Sequence, residues 1–175
     1  LIQFSGSQNS DSYAAFSNAR WQFNDEWAAS AGLRYSYDEK DDEGFNLIPT
    51  GVAIPIARDE DWDAWTPKLT AEYTPQQDLF FYATVSAGYK AGVMNIGNQG
   101  NAVDPENVLN YETGMKSEWW DNRFQLNIAV FYAEIDDLQV QRPEGGTLIT
   151  VNAAKATTQG VELETITLLA EGLTL

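Results

Sequence analysis

"WAASAGLRYSY", residues 27–37, decides how the rest of the chain is read. Its odd-numbered positions are Trp27, Ala29, Ala31, Leu33, Tyr35 and Tyr37, and its even-numbered ones are Ala28, Ser30, Gly32, Arg34 and Ser36. A period of two puts each set on its own face of a β-strand, one apolar and the other small or charged. A helix would scatter both sets around its axis.

The same phase runs outward in both directions. Tyr13, Ala15, Ala19, Trp21 and Phe23 share a face against Asn18, Arg20 and Gln22. Trp65, Pro67, Leu69, Ala71 and Tyr73 alternate with Thr66, Lys68, Thr70 and Glu72. Leu79, Phe81, Ala83, Val85, Ala87 and Tyr89 form an uninterrupted series, and Phe124, Leu126, Ile128, Val130 and Tyr132 form another. Residues 111–119 are weaker on the apolar side, but Glu112, Lys116 and Glu118 make a charged opposite face. Leu148 to Val151 and Val161 to Leu169 read as further strands, the latter losing its phase at Ile166. The expectation is an all-β, antiparallel up-and-down sheet of about eight strands with little or no helix.

The connections alternate in length. Short turns fall at 24–26, 74–78, 121–122 and 170–172, while long polar segments occupy about 38–63, 90–110 and 136–147. The long segments share no sequence and carry Gly, Pro and acidic residues suited to solvated loops, so the repeat is a hairpin and not a solenoid. One end of the sheet is trimmed and the other decorated.

Composition removes several functions. With no Cys and no His, Ser-His-Asp and Cys-His catalysis and a His/Cys zinc site are all excluded. Twenty-six acidic against ten basic residues, a formal charge of −16, would repel a phosphate backbone, so no nucleic acid is expected as a partner. The longest apolar run, Ile128 to Ala133, is far shorter than the roughly 20 residues of a membrane helix. A barrel strand needs only about 9–11 residues and shows period two, so a membrane wall stays open.

The aromatics decide that question. They reach 13% of the chain and gather beside the short turns: Trp21, Phe23 and Trp27 at the first, Phe80 and Phe81 at the second, Trp119, Trp120 and Phe124 at the third. Tyr35, Tyr37, Tyr89 and Tyr132 stand near the opposite strand ends. A sandwich core concentrates its bulk in mid-strand, whereas here mid-strand positions are often Ala. Rings at both strand ends, short turns at one end and long loops at the other are the features of an outer-membrane β-barrel. Trp21, Phe23, Trp27, Phe81, Trp119 and Phe124 are the expected membrane-interface aromatics.

"WTPKLTAEYTPQQDLFFYATVSAGYKAGVMN" (65–95), "VDPENVLNYETGMKSEWWDNRFQLNIAVFYAEIDDLQVQ" (103–141) and "NAAKATTQGVELE" (152–164) together resemble the barrel of a TonB-dependent outer-membrane receptor. The order and spacing of Pro105-Glu106, Tyr111-Glu112, Gly114, Lys116-Ser117 and Asp137-Leu138-Gln139 carry the resemblance, which covers most of the chain from about Tyr13. It implies a plugged barrel of about 22 strands, an importer of ferric siderophores or similar scarce nutrients energised by TonB. The implied partners are outer-membrane lipid, TonB, a plug domain and a siderophore or other nutrient ligand, in the cell outer membrane of a Gram-negative bacterium. Residues 1–175 are read as one partial barrel domain, truncated at both ends, with no plug and no signal peptide. A complete small eight-stranded barrel for adhesion or integrity is one alternative. A soluble β-sandwich that binds or hydrolyses carbohydrate is the other.

Candidate chemistry is sparse. "DEKDDEG" (38–44) and "DEDWD" (59–63) could attract a divalent cation, but Lys40 interrupts the calcium-loop pattern, and such runs are usually solvated, so no metal is expected. Glu162 and Glu164 share a strand face about 6–7 Å apart, as glycosidase carboxylates can, yet any charged face generates such pairs. No catalytic residue and no cofactor is expected, and the chain is read as no enzyme. Arg20, Arg34, Lys68, Glu72, Glu112 and Lys116 are the expected lumen-facing charges, placed to hydrate the wall or to contact a plug.

Overall fold

A computed structural model of the chain describes residues 3–95, 102–145, 147–170 and 173–174. Ten strands form: β1 (Gln3–Gln22), β2 (Trp27–Leu47), β3 (Ala53–Gln76), β4 (Leu79–Lys90), β5 (Glu106–Trp119), β6 (Phe124–Asp136), β7 (Gln139–Glu144), β8 (Thr147–Asn152), β9 (Ala156–Ala170) and β10 (Leu173–Thr174). Eight make one antiparallel sheet in the order β1-β2-β3-β4-β5-β6-β9-β10, so each wall strand pairs with the wall strand next to it in the chain. The β7–β8 hairpin is a separate two-stranded excursion. This accounts for the strand read at Leu148 to Val151, which forms but does not join the wall.

The register turns the alternation of single strands into rows. Trp27 faces Tyr73, Tyr73 faces Phe81, Phe81 faces Met115, Met115 faces Ile128 and Ile128 faces Leu163. The next row on that face runs Trp21, Ala29, Ala71, Ala83, Thr113, Val130 and Val161. The opposite face carries Arg20, Ser30, Thr70, Thr84 and Glu112 in one row. A register shift of one residue would exchange the faces, so the hydrophobic pattern and the short turns specify one pairing.

Apolar bulk does not collapse inward. Among the described residues the buried hydrophobics are only Ala28, Ile56, Met94, Val103, Ala133 and Ile149, while Trp21 is 70% and Val161 71% exposed. Total accessible surface is 11911 Å² for a 19.5 kDa chain, against about 8,500 Å² for a soluble globule of that mass. The excess is what a single-layer sheet bare on both faces produces.

Two expectations are corrected. The polar segment 38–63 is not a loop: β2 and β3 stay paired in unbroken register from Trp27–Tyr73 to Leu47–Ala53, closed by a turn in which Gly51 has φ 81°. Likewise β1 begins at Gln3, ten residues before the first apolar alternation. In both, charged and polar residues replace the apolar set while the pleat continues, so pairing survives beyond the point where the lipid-facing pattern stops. The turn after β5 places Trp120, Asp121 and Asn122 at φ 56°, 55° and 63°, the left-handed region that Asp and Asn tolerate better than most residues. The expected turn at 170–172 lies in part outside the described residues.

Candidate functional site

The outer face carries two belts of rings. Trp27 stacks on Tyr73 at 4.4 Å, Tyr73 on Phe81 at 6.2 Å, and Trp21 lies 4.7 Å from Phe23, all beside the short turns. Toward the other end of the same strands, Tyr35 meets Trp65 at 4.8 Å. Trp27 to Tyr35 and Tyr73 to Trp65 are equal separations on neighbouring strands. At about 3.4 Å per residue and a tilt near 40° they set the belts about 20 Å apart along the membrane normal, of the order of a barrel's apolar band. Trp119 and Phe124 face each other across β5 and β6 at the short-turn end. Trp120, in the turn itself, leans on Phe124 at 5.5 Å.

The inner face is polar and forms a groove of about 700 Å³ whose lining includes Arg34, Lys68, Glu72, Glu112 and Lys116. All six expected lumen charges lie on this face, but they divide by partner. Arg20 pairs with Glu72 at 2.7 Å, and Glu112 accepts a 2.7 Å hydrogen bond from the Tyr82 hydroxyl. Arg34 donates to Ser36 Oγ at 3.1 Å, and among the described residues neither Arg34, Lys68 nor Lys116 makes an ion pair. Phe80 and Tyr82 also face inward, whereas Phe81 faces out.

Above the belts the β2–β3 hairpin carries a second arrangement, which sequence reasoning missed. Asp42, 3% exposed, accepts from Arg58 Nη2 at 2.6 Å and from Gln8 Nε2 at 2.7 Å. Arg58 also donates to the Asn95 carbonyl at 3.1 Å, and Lys40 Nζ donates to the Gly92 carbonyl at 2.7 Å while sitting over the Trp62 ring. Lys40, Asp42, Arg58 and Trp62 of the hairpin share the phase of Arg34 and Lys68, so the segment after β4 is folded onto the inner face of the hairpin. Asn95 then pairs with the Thr150 backbone in both directions, at 2.7 and 2.6 Å, as a strand edge would. Met94, Val103, Ile56 and Ile149 bury themselves around these bonds. Nearby, Lys155 Nζ lies 2.9 Å from Asp136 Oδ1, and that hydrogen bond and charge hold its amine above the usual lysine range.

The acidic runs face one another across β2 and β3: Glu39 opposite Asp61 and Asp41 opposite Asp59. Among the described residues no three His, Cys, Asp or Glu side chains gather to hold a metal ion. Glu162 and Glu164 lie on the inner face, Glu164 accepting from Asn127 Nδ2 at 2.9 Å.

Residues 2–174 match the family model "TonB dependent receptor-like, beta-barrel". The chain is 28% identical over 167 residues to the pesticin receptor of Yersinia enterocolitica, covering 93% of this chain and 24% of that protein. It is 26% identical over 156 residues to the metal-pseudopaline receptor CntO of Pseudomonas aeruginosa, 88% of this chain and 21% of that protein. The solved ferric yersiniabactin uptake receptor FyuA from Yersinia pestis superposes with a TM-score of 0.82 at 27% identity, over 97% of this chain and 26% of that one. The chain therefore spans about a quarter of the length of these relatives. Members of the family are receptors and transporters of the Gram-negative outer membrane, not enzymes. An apolar outer face belted by rings, a polar inner face and a family match over nearly every residue have one reading: the chain belongs to the β-barrel domain of the TonB-dependent receptors.

Proposed function

We propose that this chain is part of the barrel wall of an active transporter that takes up ferric siderophores or similar scarce nutrients and is energised through TonB. The wall makes and breaks no bond; it encloses a hydrated lumen that a plug domain fills and a nutrient crosses. The observation that carries the reading is the two-faced sheet, with belts of rings spaced for a bilayer on one side and charged rows on the other. The relatives support the substrate class: they include a ferric yersiniabactin uptake receptor, a metal-pseudopaline receptor and a ferric-pyoverdine receptor.

Neither alternative fits as well. A sandwich stacks two sheets about 10 Å apart, whereas eight strands here share one layer. A closed eight-stranded barrel would pair its first and last strands, and β1 and β10 sit at opposite edges of the sheet.

The test is growth of an iron-limited Gram-negative host, lacking its own siderophore receptors, that expresses the full-length receptor bearing this segment. Growth on at least one ferric siderophore, abolished by deleting TonB, is expected. Uptake that persists without TonB, or no uptake from a broad siderophore panel, would remove the reading.

A further inference from the structure

We propose that Asn95 and Asn152 are paired clasps that lock the β2–β3 hairpin, the connection between β4 and β5, and the β7–β8 hairpin into one rigid body, so that displacing either hairpin displaces the other.

The wall alone does not join the two hairpins. In the sheet order β4 and β5 stand between β3 and β6, and the β7–β8 hairpin leaves the wall after β6. The link is made by the two ends of the β4–β5 connection. β8 pairs with β7 along one edge. On the other edge Asn95 Nδ2 donates to the Thr150 carbonyl at 2.7 Å, and Asn95 Oδ1 accepts from the Thr150 N–H at 2.6 Å. Asn152 makes the same arrangement in the reverse sense. Its Oδ1 accepts from the Asp104 N–H at 2.8 Å, and its Nδ2 donates to the Asp104 carbonyl at 2.9 Å. A side-chain amide that offers one donor and one acceptor to a single residue's backbone reproduces a step of an antiparallel ladder, so each clasp fixes orientation as well as distance. Val93 and Val103 bond each other in both directions, at 3.1 and 2.8 Å, and tie the two ends of the connection together. Gln139 Nε2, on β7, adds bonds to the Ala91 and Asp104 carbonyls.

The β2–β3 hairpin holds the same piece from its other side. The Asn95 carbonyl accepts from Arg58, which is itself paired with Asp42, and the Gly92 carbonyl accepts from Lys40. Asn95 thus gives its main chain to one hairpin and its side chain to the other. Ile56 of β3, Met94 and Val103 of the connection and Ile149 of β8 are all buried, so each of the three pieces supplies apolar surface here. Excluding water strengthens the bonds and makes it costly to leave any of them unmade. β2, β3, β6 and β9 are all interior to the sheet, so none of these contacts depends on a sheet edge. Two hairpins joined in this way have coupled stabilities, and such coupling is reciprocal.

Reciprocity supplies the test, read by amide hydrogen exchange on the full-length receptor in detergent. Asn95→Ala cuts the β8 side and leaves the Arg58 acceptor in place. It should make exchange roughly tenfold faster at 149–151 and also at 40–47 and 53–60 of the β2–β3 hairpin. Arg58→Met cuts the opposite side and should speed exchange at 149–151 by a similar factor. The double variant should exchange little faster than either single one, because either cut opens the same unit. The wall segments 79–86 and 126–131 and the heat-modifiable mobility of the barrel should match wild type throughout. Exchange at 40–47 should also be unchanged in Arg142→Glu, whose bond to Glu144 lies within the β7–β8 hairpin. Where Asn95→Ala does not assemble, Asn95→Asp, which keeps the acceptor for Thr150 and loses the donor, carries the same readout. Exchange that rises only in β8 on Asn95→Ala and only in β2–β3 on Arg58→Met would overturn the proposal, as would effects that multiply in the double variant. The transporter reading stands or falls separately, on uptake.

Discussion

Gly92 and Trp62 show how tightly the segment after β4 is held. A Cβ on Gly92 would run into the Trp62 ring and the Val103 carbonyl, and Gly92's own carbonyl is the acceptor for Lys40. Gly92→Ala should therefore lift the segment off the hairpin, at a cost of about 1–3 kcal/mol. Faster amide exchange at 91–95 and an altered Trp62 emission would report it; an unchanged exchange profile would count against the docking. Asp42→Ala should do more, since it removes the carboxylate to which both Arg58 and Gln8 donate, and breaking a buried pair costs about 3–5 kcal/mol. Proteolysis confined to the β2–β3 and β7–β8 hairpins and the 91–95 segment, with wild-type barrel mobility, is the expected result. None of these contacts could be read from sequence. The acidic runs around Asp42 and Arg58 look solvated, and what fixes their conformation is a partner some 37 residues away that periodicity does not reveal. Phe16 was detectable, because it breaks the polar phase of Asn18 and Arg20; the six charges expected in the lumen share one face because they keep that phase.

The strands are the scale at which sequence and structure agree most. Alternation over 27–37, 65–73, 79–89 and 124–132 identified the wall strands and their apolar faces because lipid on one side and polar lumen on the other impose opposite demands on successive residues. Where those demands stop, the signal stops: β2 and β3 continue as strands past Tyr37 and before Trp65, but no lipid meets either face and the inner one is covered by a polar, hydrogen-bonded segment, so nothing alternates in polarity. The two faces give a sharp contrast in mutational cost. Ala83 sits in the apolar row between Ala71 and Thr113, and Thr84 in the polar row between Thr70 and Glu112. Ala83→Arg should destabilise the full-length barrel by about 2–4 kcal/mol in urea unfolding from vesicles, and Thr84→Arg by much less. Equal effects would mean that the faces are misassigned.

At the scale of the whole chain, the wall has two edges, and they constrain what the 175 residues can do alone. β1 presents 20 residues whose outer hydrogen-bonding row has no partner in the sheet, and β10, at the other edge, is two residues long. In water such an edge is a template for another copy. In hydrocarbon, where nothing else can bond the backbone, each unsatisfied N–H or C=O costs several kcal/mol, which is why only closed barrels span membranes as strands. The isolated chain, refolded into detergent or vesicles, should therefore associate through its edges into species larger than a monomer, with no heat-modifiable monomer band and rising light scattering. The same residues within the full-length receptor should give a discrete heat-modifiable band, because neighbouring wall strands then satisfy both edges. A monomeric, protease-resistant and heat-modifiable form of the 175-residue chain would instead mean that eight strands close on themselves, and a small complete barrel would replace the transporter wall as the better reading.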